Sequence, residues 1–475
     1  MKLNILFVND VHGYLEPHPE LFYDETGEIV ETAGGYAHIA GIVEEIRKEN
    51  PNTLLFDGGD TLHGTKPLVE TQGEAVVPIL NALKFDALVG HWDFAYGPHH
   101  LQKLESKCNF PILGCNVFNK DGSHFLRPTI TIEKNGIKIG VIGLCAMIID
   151  KVMPEKMSEG LKFTTGEDEV PKYIRQLKSE GANVIVLLSH NGFPQDVHLL
   201  KKINGIDICL SAHTHNRIYE AIVVNGAHII QCGCHGAFVG NFAIELVGKK
   251  IKNHSYELIK VTESTPKNAE VEQLVNNALK PFKNLKEHVL GSTTQTLHRY
   301  SALNSSMDAL LLISIAQSTN TEIAFSNGWR YGAPIPKGKI TENDLYNITP
   351  MNPPISTVEL TGSDIKEMLE ENLERTYCSD PFGQMGGYVK RCYGLQITMR
   401  IENPTGHRIQ EIYFKGAHIN PNNTYKVSFV TMQGVAKKYG KNRKEHDKKA
   451  VDAMKDYLQH NPEFKPNNNA VFRLV

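Results

Sequence analysis

The sequence has no run of apolar residues of the length a bilayer span needs, about 20. A membrane partner is therefore not expected. It also lacks an excess of either charge: 50 Lys and Arg stand against 53 Asp and Glu, for a formal net charge of −3. That balance excludes a protein held to nucleic acid by a global basic field. Cysteine is sparse, eight residues in 475, and shows no disulfide-framework spacing. Cys115, Cys145 and Cys209 fall in or beside apolar strand patterns, where a buried, reduced thiol is expected. Cys232-Gly233-Cys234 is one residue short of a CxxC site and is read as ordinary thiols. No charged segment, apolar stretch and small-residue cleavage site precede the first strand at Leu3, so no secretory leader is read and a cytoplasmic protein is expected. Tryptophan is scarce, with two in the chain, and both fall inside motifs described below.

What is present is a globular composition, 41% hydrophobic and 22% charged, in a chain too long for one core. Up to about Leu246, apolar strand patterns alternate with helical ones. Strands are expected at 3–8, 53–56, 87–89, 184–188, 206–210 and 240–247, with hairpins at 130–142 and 221–231. A polar loop is expected from Pro17 to Thr32. Residues 266–291 read as a charged connecting helix. Beyond it come a helix at 306–318, a strand-to-helix turn at Thr361-Gly362-Ser363, and strands at 394–401, 409–414 and 425–430. The basic stretch 437–449 is expected to be a solvated loop and helix face. The pattern implies a layered α/β domain over 1–262, a connector over 263–291 and a second domain over 292–475.

Five of the strand patterns end on acids or histidines: Asp10-Val11-His12, Asp57-Gly58-Gly59-Asp60, Gly90-His91-Trp92-Asp93, Ser189-His190-Asn191 and His213-Thr214-His215. Open α/β sheets bind ligands outside the carboxyl ends of their strands. Asp10 and His12 are two apart, so both can turn towards one point. Asp60 has two oxygens that can serve two cations. A mixed carboxylate and imidazole set of this size implies two divalent metals, which clamp a phosphoryl-type oxygen and activate water. Manganese, zinc and iron all suit such ligands.

These motifs, Asp-x-His-Gly, Gly-Asp, Ser-His-x-Gly and Ala-His-Thr-His, resemble the calcineurin-like metallophosphoesterase signature. The second half is similar to the 5′-nucleotidase C-terminal domain, through Asn327-Gly328-Trp329-Arg330, Pro336-Lys337-Gly338-Lys339-Ile340-Thr341 and Leu360-Thr361-Gly362. The resemblance implies a four-layered αββα catalytic domain and an α+β substrate-binding domain. It implies one metal on Asp10, His12, Asp60 and His215, and another on Asp60, His91, His190 and His213, with manganese first among the candidates.

One motif departs from the nucleotidase pattern. Where the family has Gly-Asn-His-Glu-Phe-Asp, this chain has Gly90-His91-Trp92-Asp93-Phe94-Ala95. His91 can still ligate, but Trp92 cannot donate the proton that the family's catalytic histidine supplies. The His-Trp-acid-Phe pattern resembles the thiosulfohydrolase branch of the superfamily, as do Ser189-His190-Asn191-Gly192-Phe193, His235-Gly236-Ala237-Phe238 and Asp380-Pro381-Phe382-Gly383-Gln384-Met385-Gly386-Gly387. That branch cleaves sulfate from a carrier-linked cysteine S-thiosulfonate. Asp60, His91, Trp92 and His235 are thus the candidate catalytic positions; His235, with His63 and His99, is a candidate for the missing acid. Arg330 is the expected anion clamp, with Arg299 and Asn304 behind it; Asn327, Trp329, Gly386 and Gly387 complete the candidate substrate pocket. The expected function is metal-dependent hydrolysis of a small anionic substrate: a nucleotide, UDP-sugar or other phosphoester. Two alternatives stand beside it: thiosulfohydrolysis with a carrier protein as partner, and a metal-binding member without catalysis.

Overall fold

The computed structural model describes residues 2–247, 250–466 and 471–475. The chain divides into two compact units. The first comprises Met1–Glu20 and Thr32–Lys280, the second Leu21–Glu31 and Pro281–Val475. The first unit therefore lacks a piece of its own early sequence, which clusters with the second.

The first unit is built on two sheets. In one, strands run in the order Lys250–Lys260, Phe238–Val247, Lys2–Val8, Thr53–Asp57, Ala87–Leu88. In the other the order is Ile222–Val224, Ala227–Ile230, Ile208–Ser211, Val184–Ser189, Ile137–Leu144, Thr129–Lys134. Lys2–Val8, Thr53–Asp57 and Ala87–Leu88 are parallel, as are Ile137–Leu144, Val184–Ser189, Ile208–Ser211 and Ala227–Ile230. Parallel strands covered on both faces read as continuous apolar runs, and Val184 to Leu188 is buried throughout. Helices Tyr36–Glu49, Val77–Leu83 and Ala269–Leu279 pack together beside the first sheet, and Glu169–Ser179 and Phe193–Lys202 lie against the second. The architecture is the αββα sandwich expected.

The second unit holds a five-stranded sheet, in the order Arg391–Tyr393, Ile323–Ser326, Thr424–Val430, Pro354–Thr361, Lys441–Lys449. A four-stranded sheet carries Leu395–Met399 and Ile409–Phe414. Its core joins Phe325, Leu360, Leu369, Ile397, Phe429 and Phe472. Helices Glu342–Ile348 and Gly362–Tyr377 both begin with a capping box, Thr341 with Asp344 and Thr361 with Asp364. The same Thr-x-x-Asp spacing starts both because each threonine hydroxyl and aspartate carboxylate satisfy otherwise orphaned backbone N–H groups.

Two expectations need correction. Residues 17–32 are not a loop but a hairpin, His18–Asp24 with Gly27–Ala33. Asp24 closes its turn by accepting from the Thr26 backbone at 2.7 Å, and Gly27 takes the left-handed φ of 117°. The basic stretch is not a loop and helix face: Lys441–Lys449 is a strand paired with Pro354–Thr361. It is an edge strand, where lysines guard against further pairing, and two of its side chains, Arg443 and His446, are partly buried. Arg443 covers the Phe429 ring and bonds to the Val435 carbonyl at 3.0 Å, while His446 meets Thr357 at 3.1 Å.

Replacing Leu187, fully buried in the middle of the second sheet, by alanine is expected to destabilise the first unit by about 2–5 kcal/mol. Urea unfolding of the chain followed by far-UV circular dichroism measures it.

Candidate metal centre

Five of the seven candidate ligands sit on sharp backbone turns that follow strands of the first unit. Asp10, His12, Asp60, His213 and His215 all have positive φ, between 50° and 73°. Non-glycine residues occupy this region at a cost, and such strain gathers at functional sites. The surrounding hydrogen bonds hold the turns in place. The Asp10 N–H donates to the Gly59 carbonyl at 2.9 Å and the His12 N–H to the Asp60 carbonyl at 2.7 Å. Glycine is required beside them: a Cβ on Gly59 would stand 2.3 Å from the Val89 carbonyl oxygen and 2.9 Å from His190 Nδ1.

The turns bring the seven expected ligands together. Asp60, His91, His190 and His213 each offer an atom within 4.8 Å of one another, and Asp10, His12 and His215 form a second such group. Asp60 joins the two. Its Oδ1 lies 3.4 Å from His91 Nδ1, and its Oδ2 lies 3.4 Å from His190 Nε2 and 3.6 Å from His12 Nε2. Asp10 Oδ1 lies 3.4 Å from His215 Nε2 and 3.7 Å from His190 Nε2.

The donor set fits divalent cations. The Gly58 carbonyl takes the N–H of His190 Nδ1, which turns Nε2 towards the two carboxylates. That Nε2 and His91 Nδ1 are buried and make no hydrogen bond. Nitrogen and oxygen atoms converging at 3.4 to 3.7 Å are spaced as ligands of a shared ion rather than as hydrogen-bond partners. The centre attracts positive charge: burial works against a charged His190, yet Asp60 and Asp10 raise it to about 10. Burial likewise opposes ionisation of Asp60, but His190, His91 and His12 hold it well below the usual carboxylate range.

A set of supporting groups holds the ligand-bearing turns in place. Asp93 accepts from the backbone N–H groups of Asp60 at 2.9 Å, Thr61 at 3.0 Å, Leu62 at 2.9 Å and His91 at 3.1 Å. It thereby fixes two ligand-bearing turns with one carboxylate. Asn9 donates to Asp10 Oδ2 at 2.6 Å. Asp196 ties Ser189 to Ser211, both at 2.6 Å, and so links the strands that carry His190 and His213. Asp93 was within reach of sequence reasoning, two residues past His91; Asp196 was not, because its partners come from separate strands. Cys234, read as an ordinary thiol, is buried beside His215 and His235; burial would raise it, but those two rings lower it to about 6.

Trp92 stands at the centre's edge. Its backbone N–H donates to Asp60 Oδ1 at 2.6 Å, and its ring stacks on His63 with centroids 5.0 Å apart. Burial lowers His63 to about 4, so near neutral pH it is a neutral imidazole rather than an imidazolium acid. His99 is exposed on helix Pro98–Glu105. His235 is fully buried, with its Nδ1 2.9 Å from Glu20 Oε2 and its ring centroid 6.1 Å from that of His12.

In the second unit, Arg330 is half-buried, donates from Nη2 to the Gly387 carbonyl at 3.0 Å and lies 5.1 Å from the Tyr388 ring centre. Gly387 and Gly386 take φ of 76° and 70°, and a Cβ on Gly328 would collide with the Tyr388 carbonyl oxygen at 2.3 Å. Asn327 turns its side-chain oxygen onto the Gly328 N–H at 2.9 Å. Trp329 is largely buried, with the Arg299 guanidinium 5.5 Å from its ring centre. Arg299 and Asn304 must be reassigned. Arg299 is fully buried, forks onto Asp308 at 3.0 and 2.8 Å and donates to the carbonyls of Tyr331 and Ile348. Asn304 accepts from Val471 at 3.0 Å and Phe472 at 3.1 Å and donates to the Phe472 carbonyl. Both are internal struts, because their donors and acceptors are already committed.

Asp93→Asn is expected to lower metal affinity by roughly 10- to 100-fold, since an amide cannot accept on both of its sides. Titration with manganese against a competing chelator measures it.

Residues 3–217 match the calcineurin-like phosphoesterase family, and residues 287–437 match the 5′-nucleotidase C-terminal domain. The trifunctional nucleotide phosphoesterase YfkN of Bacillus subtilis is 23% identical over 90% of this chain, which spans only 31% of that longer protein. The fold is that of the sulfate thiohydrolase SoxB of Thermus thermophilus, with a TM-score of 0.92 at 24% identity, over all of this chain and 96% of the other. A 5′-nucleotidase precursor, also from Thermus thermophilus, superposes with a TM-score of 0.88 at 20% identity, over all of this chain and 99% of the other. With a metallophosphoesterase domain ahead of a 5′-nucleotidase C-terminal domain, the chain belongs to the metallophosphoesterase and 5′-nucleotidase superfamily of ester-bond hydrolases.

Proposed function

We propose that the chain is a dinuclear-metal hydrolase of nucleotides or related phosphate esters and anhydrides. The observation that carries this reading is Asp60, buried between two groups of histidines, with Oδ1 facing His91 and Oδ2 facing both His190 and His12. Asp10, His12, Asp60 and His215 would hold one cation, and Asp60, His91, His190 and His213 the other. When bound, such a pair of cations offsets phosphoryl charge and lowers the pKa of a water. The chain's own residues do the rest. Asp93 and Asn9 keep the carboxylates aimed, and Gly58 keeps the His190 lone pair turned inward. Arg330 is proposed to bind the anionic part of the substrate, since a guanidinium fork matches phosphate oxygens. Manganese is the first choice of metal. A cytoplasmic setting belongs to the proposal, and all eight cysteines are free thiols, as a reducing compartment permits.

Trp92 narrows the substrate. General acid catalysis contributes typically about 10²–10⁴-fold, and an indole supplies none of it. A leaving group that departs without protonation suits this site better than an alkoxide does. Nucleoside di- and triphosphates and UDP-sugars lose a phosphate of that kind. The same observation favours a second reading, hydrolysis of a cysteine S-thiosulfonate on a carrier, where water adds to the sulfonate sulfur, sulfate is released and the leaving group is the cysteine persulfide anion, a thiolate-type group.

The manganese-loaded chain is expected to release phosphate faster from nucleoside di- and triphosphates than from monophosphates. It is also expected to release little sulfate from an S-thiosulfonated cysteine peptide. The reverse preference would transfer the assignment to the second reading. Arg330→Ala is expected to raise KM for the phosphate substrate by roughly 10- to 100-fold with metal content unchanged; an unaltered KM would remove Arg330 from the substrate site.

A further inference from the structure

Outside the seven ligands, the first unit holds a second convergence of metal-binding side chains. His18 and Glu20 are two apart on strand His18–Asp24, so they share a face. His235 follows strand Ala227–Ile230, and like five of the seven ligands it has a left-handed backbone, with φ of 56°. One ligand atom from each of the three lies within 4.8 Å of the others. All three are buried, His18 at 7% exposure and the other two at zero.

The hydrogen bonds set the tautomer. His18 Nδ1 lies 3.3 Å from the Glu16 carbonyl oxygen, which can only accept, so Nδ1 carries the proton and Nε2 the lone pair. Nε2 has no hydrogen-bond partner and stands 3.7 Å from Glu20 Oε2. That separation is too long for a hydrogen bond. Two ligands about 2.1 Å from one tetrahedral ion stand about 3.4 Å apart, close to the observed spacing. Glu20 Oε2 also lies 2.9 Å from His235 Nδ1, an edge that must open by roughly half an ångström to admit an ion. The other oxygen, Oε1, is held by Arg217 Nη2 at 3.3 Å. A ligating carboxylate anchored by an outer donor, and a ligating imidazole whose far N–H meets a backbone carbonyl, are the usual outer shell of a metal site.

The surroundings leave room for the rings. The Tyr14 ring centre lies 4.5 Å from that of His18 and 4.7 Å from that of His235. Gly34 backs the site: a Cβ there would fall 2.8 Å from His18 Cε1 and 3.0 Å from the His235 carbonyl oxygen. The competing occupant is a proton on His235 Nδ1 shared with Glu20 Oε2, which an incoming cation displaces.

We propose that His18, Glu20 and His235 form a third divalent-cation site, of a two-imidazole, one-carboxylate type suited to zinc, with a solvent ligand completing it. It is separate from the dinuclear centre, because it uses none of the same ligands. The His235 ring centroid nevertheless lies 6.1 and 6.2 Å from those of His12 and His215. As a ligand of this site, His235 is a positioning residue beside the centre rather than the missing general acid.

The test is zinc stoichiometry. Chain stripped with chelator, reloaded with zinc and desalted is expected to hold three ions by elemental analysis. His18→Ala and the milder His18→Gln are expected to hold two, with circular dichroism and melting temperature showing an intact fold. Asp60→Ala is expected to keep one, which separates failure of the dinuclear reading from failure of this one. Anomalous diffraction from zinc-loaded wild-type crystals is expected to show a peak between His18 Nε2 and Glu20 Oε2. No anomalous peak there, or an unchanged zinc count in both folded His18 variants, would overturn the proposal.

Discussion

The structure of the first unit depends on a carboxylate kept ionised where water cannot reach it. Asp60 is buried, and burial by itself would favour its neutral form. Three imidazoles within 3.6 Å reverse that preference. Much of what surrounds them serves to keep the arrangement in register. Thr53–Asp57 is parallel to both its neighbours, so its end meets the turns that follow Lys2–Val8 and Ala87–Leu88. The strained turns at Asp10, His12, Asp60, His213 and His215 persist because hydrogen bonds such as those of Asp93 and Gly59 over-determine them.

The same economy explains why a substitution as large as Trp92 is tolerated. What the fold requires at that position is a backbone N–H for Asp60, and any residue but proline supplies it. The side chain is released to decide chemistry. Here it stacks on His63, itself held neutral by burial. On the proposed reading, a centre holding two cations, with an indole where the acid would stand, would select for leaving groups that need no proton. Phosphates and thiolates share that property, so the fold alone, common to a sulfate thiohydrolase and a nucleotidase, does not choose between them.

Much of the site was legible in the sequence because its ligands lie at the ends of apolar strands, and strand ends are local features. Asp10 and His12, or His213 and His215, need only a strand before them and a turn between. The second unit was less legible. Arg299 has the chemistry of an anion clamp, but Asp308 and two carbonyls consume its fork. Asn304 is likewise taken up by the terminal strand. Lys441–Lys449 has the composition of a solvated face, yet it pairs along Pro354–Thr361, because an edge strand can leave most of its side chains in solvent.

The sequence by itself determined the family, the layered α/β class of the first unit and the seven candidate ligands, since each rests on short motifs and on apolar periodicity. Tertiary structure alone decided which groups face one another across long separations. Glu20 meets His235 across 215 residues and Arg217 across 197, and Asp196 joins two strands through two hydroxyls. A side chain's type is written locally. Its partners are set by how two sheets bring their strand ends together, and no periodicity along the chain encodes that.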